Sequence, residues 1–298
     1  MNKYFKILLF VLILWVFSYT FAYLFFDGDN VIAEDKVAVI SVEGMITLNG
    51  GSSFFTNSVS GKDIVNKINT ANEDESVKAI VLEINSPGGT VMGSKYVVDA
   101  IKKVDKPIVT VITESGTSGA YWIASQTDAI FADELSYVGS IGVIGSYVEF
   151  GGLMEDYNVT YRRLVTGDYK DMGTPYREMT SEEEELMMER LEKVHEFFVE
   201  DVAVGRNMTV EDVEVLSTGI FYLGMDCVDN GLIDYIGNKE NAIEYAKNLT
   251  GMNLNEFELK DPEGLFASLE KLGLENSYAL GQGIGSVLLE TENFEIKV

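Results

Sequence analysis

The sequence predicts an α/β fold with mostly parallel strand pairing, carried behind an N-terminal transmembrane helix. Three observations predict it. Apolar strand-like runs alternate with segments of helical spacing from residue 37 onward, the pattern of a parallel sheet with helical crossovers. Several of those runs are apolar almost throughout, as strands covered on both faces are. The first 26 residues contain one long uncharged stretch.

That stretch, Ile7 to Phe26, reads ILLFVLILWVFSYTFAYLFF and holds no charge. About 20 apolar residues span a bilayer as a helix. Lys3 and Lys6 precede it and Asp27 and Asp29 follow it, so the positive-inside rule leaves the N-terminus in the cytoplasm and the bulk of the chain outside. A cleaved signal peptide would end in a small-x-small site. This run ends in YLFF, so an uncleaved anchor in the cell membrane over residues 1–26 is expected, followed by a polar linker over 27–36.

The soluble domain, 37–250, opens with the strand run VAVISVEGMI (37–46). GKDIVNKINTA (61–71) has helical spacing at Ile64, Val65 and Ile68. VKAIVLEIN (77–85) and PIVTVIT (107–113) are strands flanking the helical VMGSKYVVDAIKKV (91–104). The strongest helix is 181–204. Thr180 and Glu183 have capping-box spacing before it, and Met187, Leu191, Val194, Phe198 and Val202 make one apolar stripe along it. Further helices are expected at 209–217 and 239–249. Residues 251–298 form a less regular tail of unknown role, with a short amphipathic helix expected at 264–273.

Composition excludes several classes. Hydrophobic residues make up 46% of the 298 and charged residues 23%, a globular balance. The net charge is -26, and all 48 acidic residues lie after position 26. Such a surface repels phosphate backbones, so no nucleic-acid partner is expected. The single cysteine, Cys227, excludes an intrachain disulfide and a cysteine-rich zinc site. No metal or organic cofactor is implied. The single histidine, His195, sits at the edge of the apolar stripe of the 181–204 helix; a catalytic histidine is more often loop-borne with an acidic partner.

Four glycine-bearing segments hold the candidate chemistry. INSPGGTV (84–91) joins a strand to a helix, and its backbone N–H groups near Gly88 and Gly89 can converge on one point. ESGTSGAYWIAS (114–125) is a second such junction, with Ser118 at the start of a helix. Taken alone, an ordinary turn explains the first and a helix-capping serine the second. YVGSIGVIG (137–145) carries Ser140 between glycines, and TGDYKDMGTPYREMT (166–180) carries Lys170 in a loop before the capped helix.

Together these segments resemble the signal peptide peptidase A family, in its short single-domain form. The resemblance rests on Ser86-Pro87-Gly88-Gly89, Ser118-Gly119-Ala120-Tyr121, Val138 to Ile144, Lys170-Asp171 and Arg177-Glu178-Met179-Thr180. They stand in the family's order and at its separations. GIFYLGMDCVDNGLID (219–234) resembles a further element, and the likeness covers about residues 37–250 and includes the anchor. Ala120, Thr90 and Cys227 depart from the family's usual residues, and none of them removes a group the chemistry needs. The resemblance implies a ClpP/crotonase-like fold of repeated ββα units and a Ser-Lys serine endopeptidase. It implies Ser118 as nucleophile, Lys170 as general base, and Ser140 hydrogen-bonded to that lysine. Gly88 or Gly89, with Gly119, would supply the oxyanion N–H groups. It further implies hydrophobic peptide substrates such as remnant signal peptides. The homo-oligomer would be ring-shaped, with the serine and lysine of one site coming from neighbouring copies. The competing readings are an acyl-CoA enzyme of the crotonase kind, which an outward-facing anchored domain disfavours, and a non-catalytic anchored scaffold that binds peptides.

Overall fold

The computed structural model describes residues 3–26, 35–53 and 56–259. The expected helix at 264–273 lies outside the described residues, as does most of the linker. Residues 3–26 form one helix, α1 (Lys3–Phe26). Among the described residues no helix is long and apolar enough to cross a membrane. Within α1 the side chains are described only at 3, 5 and 9–18, so the expected span over 7–26 is covered in part.

The chain then runs β1 (Lys36–Glu43), β2 (Met45–Thr47), β3 (Gly51–Ser53), β4 (Thr56–Ser60), α2 (Gly61–Glu73), β5 (Val77–Ser86), α3 (Val91–Ile101), β6 (Ile108–Thr117) and α4 (Gly119–Ala124). It continues through β7 (Ala129–Ala132), β8 (Tyr137–Gly139), α5 (Gly151–Asp156), α6 (Ser181–Arg206) and α7 (Val210–Leu216). The last elements are β9 (Phe221–Leu223), α8 (Gly224–Cys227), β10 (Tyr235–Ile236), α9 (Lys239–Thr250) and β11 (Asn255–Glu258).

The main sheet has the order β10-β7-β6-β5-β1-β11, with β8 pairing both β6 and β9. The β1–β5, β5–β6, β6–β7 and β7–β10 pairings are all parallel, as the alternation of strands and helices predicts. A smaller sheet of order β2-β4-β3 lies beside it. The expected strand over 37–46 is broken at Gly44, whose φ of 77° an L side chain rarely adopts and whose N–H turns to the Asn85 carbonyl. Strand β11 carries the sheet's edge past residue 250.

Both faces of the central strands are covered, which is why their sequences are apolar throughout rather than alternating. On one face Val37, Val39, Val81, Val109, Val111 and Phe131 pack against Ala242, Ile243 and Ala246 of α9. The other face, which includes Ile40, Leu82 and Ile84, is buried along with Ile64 and Ile68 of α2 and Val97 and Val98 of α3. Each such aliphatic side chain contributes about 1.5–3 kcal/mol on burial.

Strand β6 positions the site. Its first half pairs with β7, from Val109 opposite Ala129 to Ile112 opposite Ala132. Its second half changes partner and pairs with β8, from Ser115 opposite Tyr137 to Thr117 opposite Gly139. The C-terminal end of β6 thus keeps β5, through Gly116 opposite Ser86, and exchanges β7 for β8, at the strand ends beyond which α/β sheets bind ligands.

Candidate active site

Strand β6 ends at Thr117 and α4 begins at Gly119, so Ser118 is a one-residue hinge between them. Its backbone stands at φ 53° and ψ -127°, a conformation that costs a non-glycine residue about 1–3 kcal/mol. The surroundings impose it. The Ser118 N–H donates to the Gly139 carbonyl at 2.7 Å, and its carbonyl accepts from the Trp122 N–H at 3.0 Å. Inside α4, Tyr121 is fully buried and its hydroxyl donates to the Leu232 carbonyl at 2.8 Å. Burial pushes that phenol well above its ordinary pKa, so it acts as a fixed anchor. The Ser118 side chain makes no capping hydrogen bond. It is therefore not a capping serine but a hydroxyl held out on a strained strand-to-helix turn, the geometry of a nucleophile elbow.

The Ser86-Pro87-Gly88-Gly89 turn packs directly against this hinge. A Cβ on Gly88 would lie 2.8 Å from the Ser118 Cβ and 2.7 Å from the Gly119 nitrogen. One on Gly89 would overlap the Ile46 carbonyl, and one on Gly119 would overlap the Ser94 hydroxyl. No larger residue fits at any of the three. The turn also sorts its N–H groups. Gly88 donates to Ser86 Oγ at 3.1 Å, and that buried hydroxyl donates to the Gly44 carbonyl at 2.6 Å. Of the two alternatives at this turn, the Gly88 N–H is thus already engaged. The bridge to Ile46 uses the Gly88 carbonyl and the Thr90 N–H, so the Gly89 N–H faces the other way. Among the described residues neither the Gly89 nor the Gly119 N–H has an acceptor. The ideal Cβ position on Gly119 is 3.5 Å from the Gly89 nitrogen. Two free donors beside a free hydroxyl can hold a carbonyl oxygen that becomes negative during attack.

A cleft of about 550 Å³ opens over these groups. Its floor holds Pro87, Gly89, Ser118, Gly119 and Ser140; one wall is α6, through Met188, Leu191, Val194, His195 and Phe198; Ser217 to Gly219 close another side. Ser140 has φ 49°, and its hydroxyl donates to the Gly219 carbonyl at 2.8 Å. The structure therefore brings Ser118, Ser140, Gly89 and Gly119 into one cavity. It does not bring in Lys170, which is exposed in a turn at Gly167–Asp171 on the long arm between β8 and α6 and does not line the cleft.

His195 does line the cleft, with Nε2 3.2 Å from the Ser217 carbonyl, a position that the edge of an apolar stripe does not reveal. Sequence reasoning gave Ser86 no role beyond its motif and missed Ser94. Ser94 is fully buried and its hydroxyl has no partner among the described residues; its place one turn into the helix that follows the glycine turn was the available signal. Cys227 is buried, and burial pushes its thiol up to about 12, so it is no competing nucleophile.

The profile of Peptidase family S49 matches residues 100–253, and that of Clp protease matches residues 35–129. The two overlap on the segment that carries Ser118. A protein of Enterococcus faecium provisionally named signal peptide peptidase SppA is 36% identical over 235 residues, covering 74% of this chain and 68% of that protein.

The chain belongs to peptidase family S49.

A protein provisionally named a protease in Methanocaldococcus jannaschii is 33% identical over 239 residues, 78% of this chain and 76% of that one. The chloroplastic serine protease SPPA of Arabidopsis thaliana is 29% identical over 226 residues, 74% of this chain but 33% of the plant protein. The S49 chain is thus a serine peptidase on a ClpP-like α/β fold, related to the signal peptide peptidases.

Proposed function

We propose that this S49 peptidase is a membrane-anchored endopeptidase in which Ser118 of one copy attacks a peptide carbonyl and Lys170 of a neighbouring copy takes its proton. The observation that carries the reading is the separation of the two groups. A free, strained hydroxyl sits in the cleft, while the lysine stands on an exposed arm of the same chain. That arm and its base present bare apolar side chains, among them Ile144 at 90% and Leu164 at 95% exposure. A second copy would cover them.

In this reading Ser118 Oγ attacks and its proton passes to the neutral lysine amine, because a serine hydroxyl is a weak nucleophile until a base takes its proton. Enclosure by the neighbouring copy favours the neutral amine. Ser140 orients that amine, and the Gly89 and Gly119 N–H groups hold the oxyanion; one such donor is worth about 2.7–4 kcal/mol of barrier. Met188, Leu191, Val194 and Phe198 on the α6 wall suit an extended hydrophobic peptide, and a ring of copies would admit remnant signal peptides and exclude folded proteins. Residues 7–26 would hold the enzyme in the cell membrane, with the N-terminus in the cytoplasm and the catalytic domain outside.

A second reading follows from His195, which lines the cleft that Lys170 does not: the histidine would serve as base within one copy. One experiment separates the two. The full chain in detergent micelles, with Ser118→Ala, Lys170→Ala and His195→Ala variants, is assayed on a fluorogenic apolar peptide. The two-copy reading expects Ser118→Ala and Lys170→Ala each to be inactive and their co-expression to restore part of the activity, since mixed assemblies contain intact serine–lysine pairs. An active Lys170→Ala beside an inactive His195→Ala would replace it with the histidine reading. A wild type inactive as an assembled oligomer would point to the scaffold.

A further inference from the structure

The arm that carries Lys170 contains a charge arrangement that the proposed reaction does not by itself explain. Asp171 follows Lys170 directly, and its carboxylate is turned into the protein with its side chain 11% exposed. Both of its oxygens are occupied. Arg163 Nε donates to Oδ1 and Oδ2 at 3.0 and 2.9 Å, while Arg177 donates to Oδ1 from Nη2 at 3.2 Å and to Oδ2 from Nε at 3.4 Å. Neither arginine is free to leave. Arg163 Nη2 donates to the Asp168 carbonyl at 2.6 Å. The outer edge of Arg177 grips both oxygens of Glu183, at 2.7 and 2.6 Å, and its Nη1 donates to the Glu178 carbonyl at 2.9 Å. Glu183 is buried and is itself fixed by the Thr180 N–H at 2.9 Å. Tyr169 donates to Glu182 at 2.5 Å, which ties the turn to the start of α6 a second time. Lys170, by contrast, has no carboxylate in ion-pair reach among the described residues.

We propose that Arg163 and Arg177 are positioning residues that occupy the Asp171 carboxylate and so withhold it from the adjacent lysine amine. The inference rests on reading Lys170 as the base. A lysine takes a proton only when it is neutral, and a free carboxylate within about 4–6 Å favours the ammonium form. Asp171 is the carboxylate next to Lys170 in the chain. Two guanidinium groups saturate it and hold it well below the usual carboxylate range, so it stays charged yet engaged. Of the other acidic groups about the turn, Glu183 pairs with Arg177 and Glu182 accepts from Tyr169, while Asp168 and Glu178 are exposed and hold the arginines through their carbonyls; Glu192 lines the cleft that the amine would enter and is unchanged in every variant below. The Lys-Asp and Arg-Glu-Met-Thr segments thereby acquire one shared task.

The test is the pH profile of peptide hydrolysis by the full chain, wild type against Arg163→Met, Arg177→Met and the double variant. Releasing Asp171 is expected to move the midpoint of the acid limb up by about one pH unit in the double variant. Activity below the limb would fall several-fold, with KM unchanged. Adding Asp171→Asn to the double variant is expected to return the midpoint to the wild-type value. Lower activity with an unmoved midpoint, in variants whose circular dichroism matches wild type, would overturn the inference and leave the arginines a purely structural role. Should the double variant fail to fold, Arg163→Met alone, at a half-exposed side chain, carries the same test with a smaller shift. Lys170→Ala, assayed in parallel, keeps the two claims apart. If it is active, the base assignment fails; if it is inactive while the arginine variants leave the midpoint unmoved, only the sequestering of Asp171 fails.

Discussion

The Ser118 N–H is tied to the Gly139 carbonyl at 2.7 Å, so the strained residue is held by strand β8 through its backbone while its hydroxyl stays free. The strain can be measured. Ser118→Gly and Ser118→Ala are both expected to be inactive, but the glycine variant should be more stable than the alanine variant by about 1 kcal/mol, because glycine adopts a positive φ without penalty. For a domain of this size that is about 2–4 °C in Tm. A glycine variant that melts no higher than the alanine variant would show that the turn is not strained.

Gly119 touches Ser94 so closely that a methyl group has no room. Gly119→Ala is expected to push α4 and its free N–H away from the Gly89 N–H and lower kcat/KM about a hundredfold or more, the size of losing one oxyanion donor. Ser94→Gly in the same chain opens the space and should recover part of that loss. A double variant as poor as Gly119→Ala would place the damage in another contact.

The start of α6 should respond to acid. Arg177 and the Thr180 N–H lower Glu183 from an ordinary 4.5 to about 2. A carboxylate depressed in the folded state contributes stability in full above its unfolded value and loses it as pH falls through the folded one. Wild type should therefore lose stability between about pH 4.5 and 2. Glu183→Gln should be less stable at pH 7 and flatter across that window. Thermal melts from pH 2 to 7 check both; parallel curves for the two proteins would contradict the assignment.

Cys227 donates to the Leu223 carbonyl at 3.1 Å and is buried. Iodoacetamide at pH 8 is expected to leave native enzyme active and unlabelled and to label it stoichiometrically after unfolding, as mass spectrometry will read. Labelling of the native chain at a comparable rate would mean that α8 opens readily.

Helix α6 was legible from its first residue and to within two residues of its last, expected at 204 and found at Arg206. Thr180 and Glu183 stand at capping-box spacing, and both bonds of the box form, at 3.2 and 2.9 Å. The central strands were legible because burial on both faces leaves an apolar run. Strands β8 and β9, of three residues each, were not, since their pairing is set by β6 and by each other rather than by any period of their own. The glycine turns were visible as turns, and Ser118, Ser140, Gly89 and Gly119 were named. Their convergence in one cleft came from the family resemblance, because no local pattern links four segments across more than fifty residues. Which N–H of the Gly88-Gly89 pair stays free depends on the Ser86 hydroxyl, a contact that sequence alone does not resolve. Nor does a single chain's sequence say how far Lys170 stands from Ser118.

Helix α6 runs unbroken for 26 residues from the Lys170 arm to Arg206, which clasps Asp234 at 2.8 and 2.9 Å. At 1.5 Å per residue it is a rod of roughly 39 Å, pinned at both ends and facing the candidate cleft in between. One residue inserted near the Arg206 end would turn everything upstream by about 100°, carrying Leu191 and His195 out of the cleft wall. The rod is thus a gauge that tolerates change only in whole turns. Relatives that lengthen or shorten it are expected to do so by three, four or seven residues, keeping the two ends in phase.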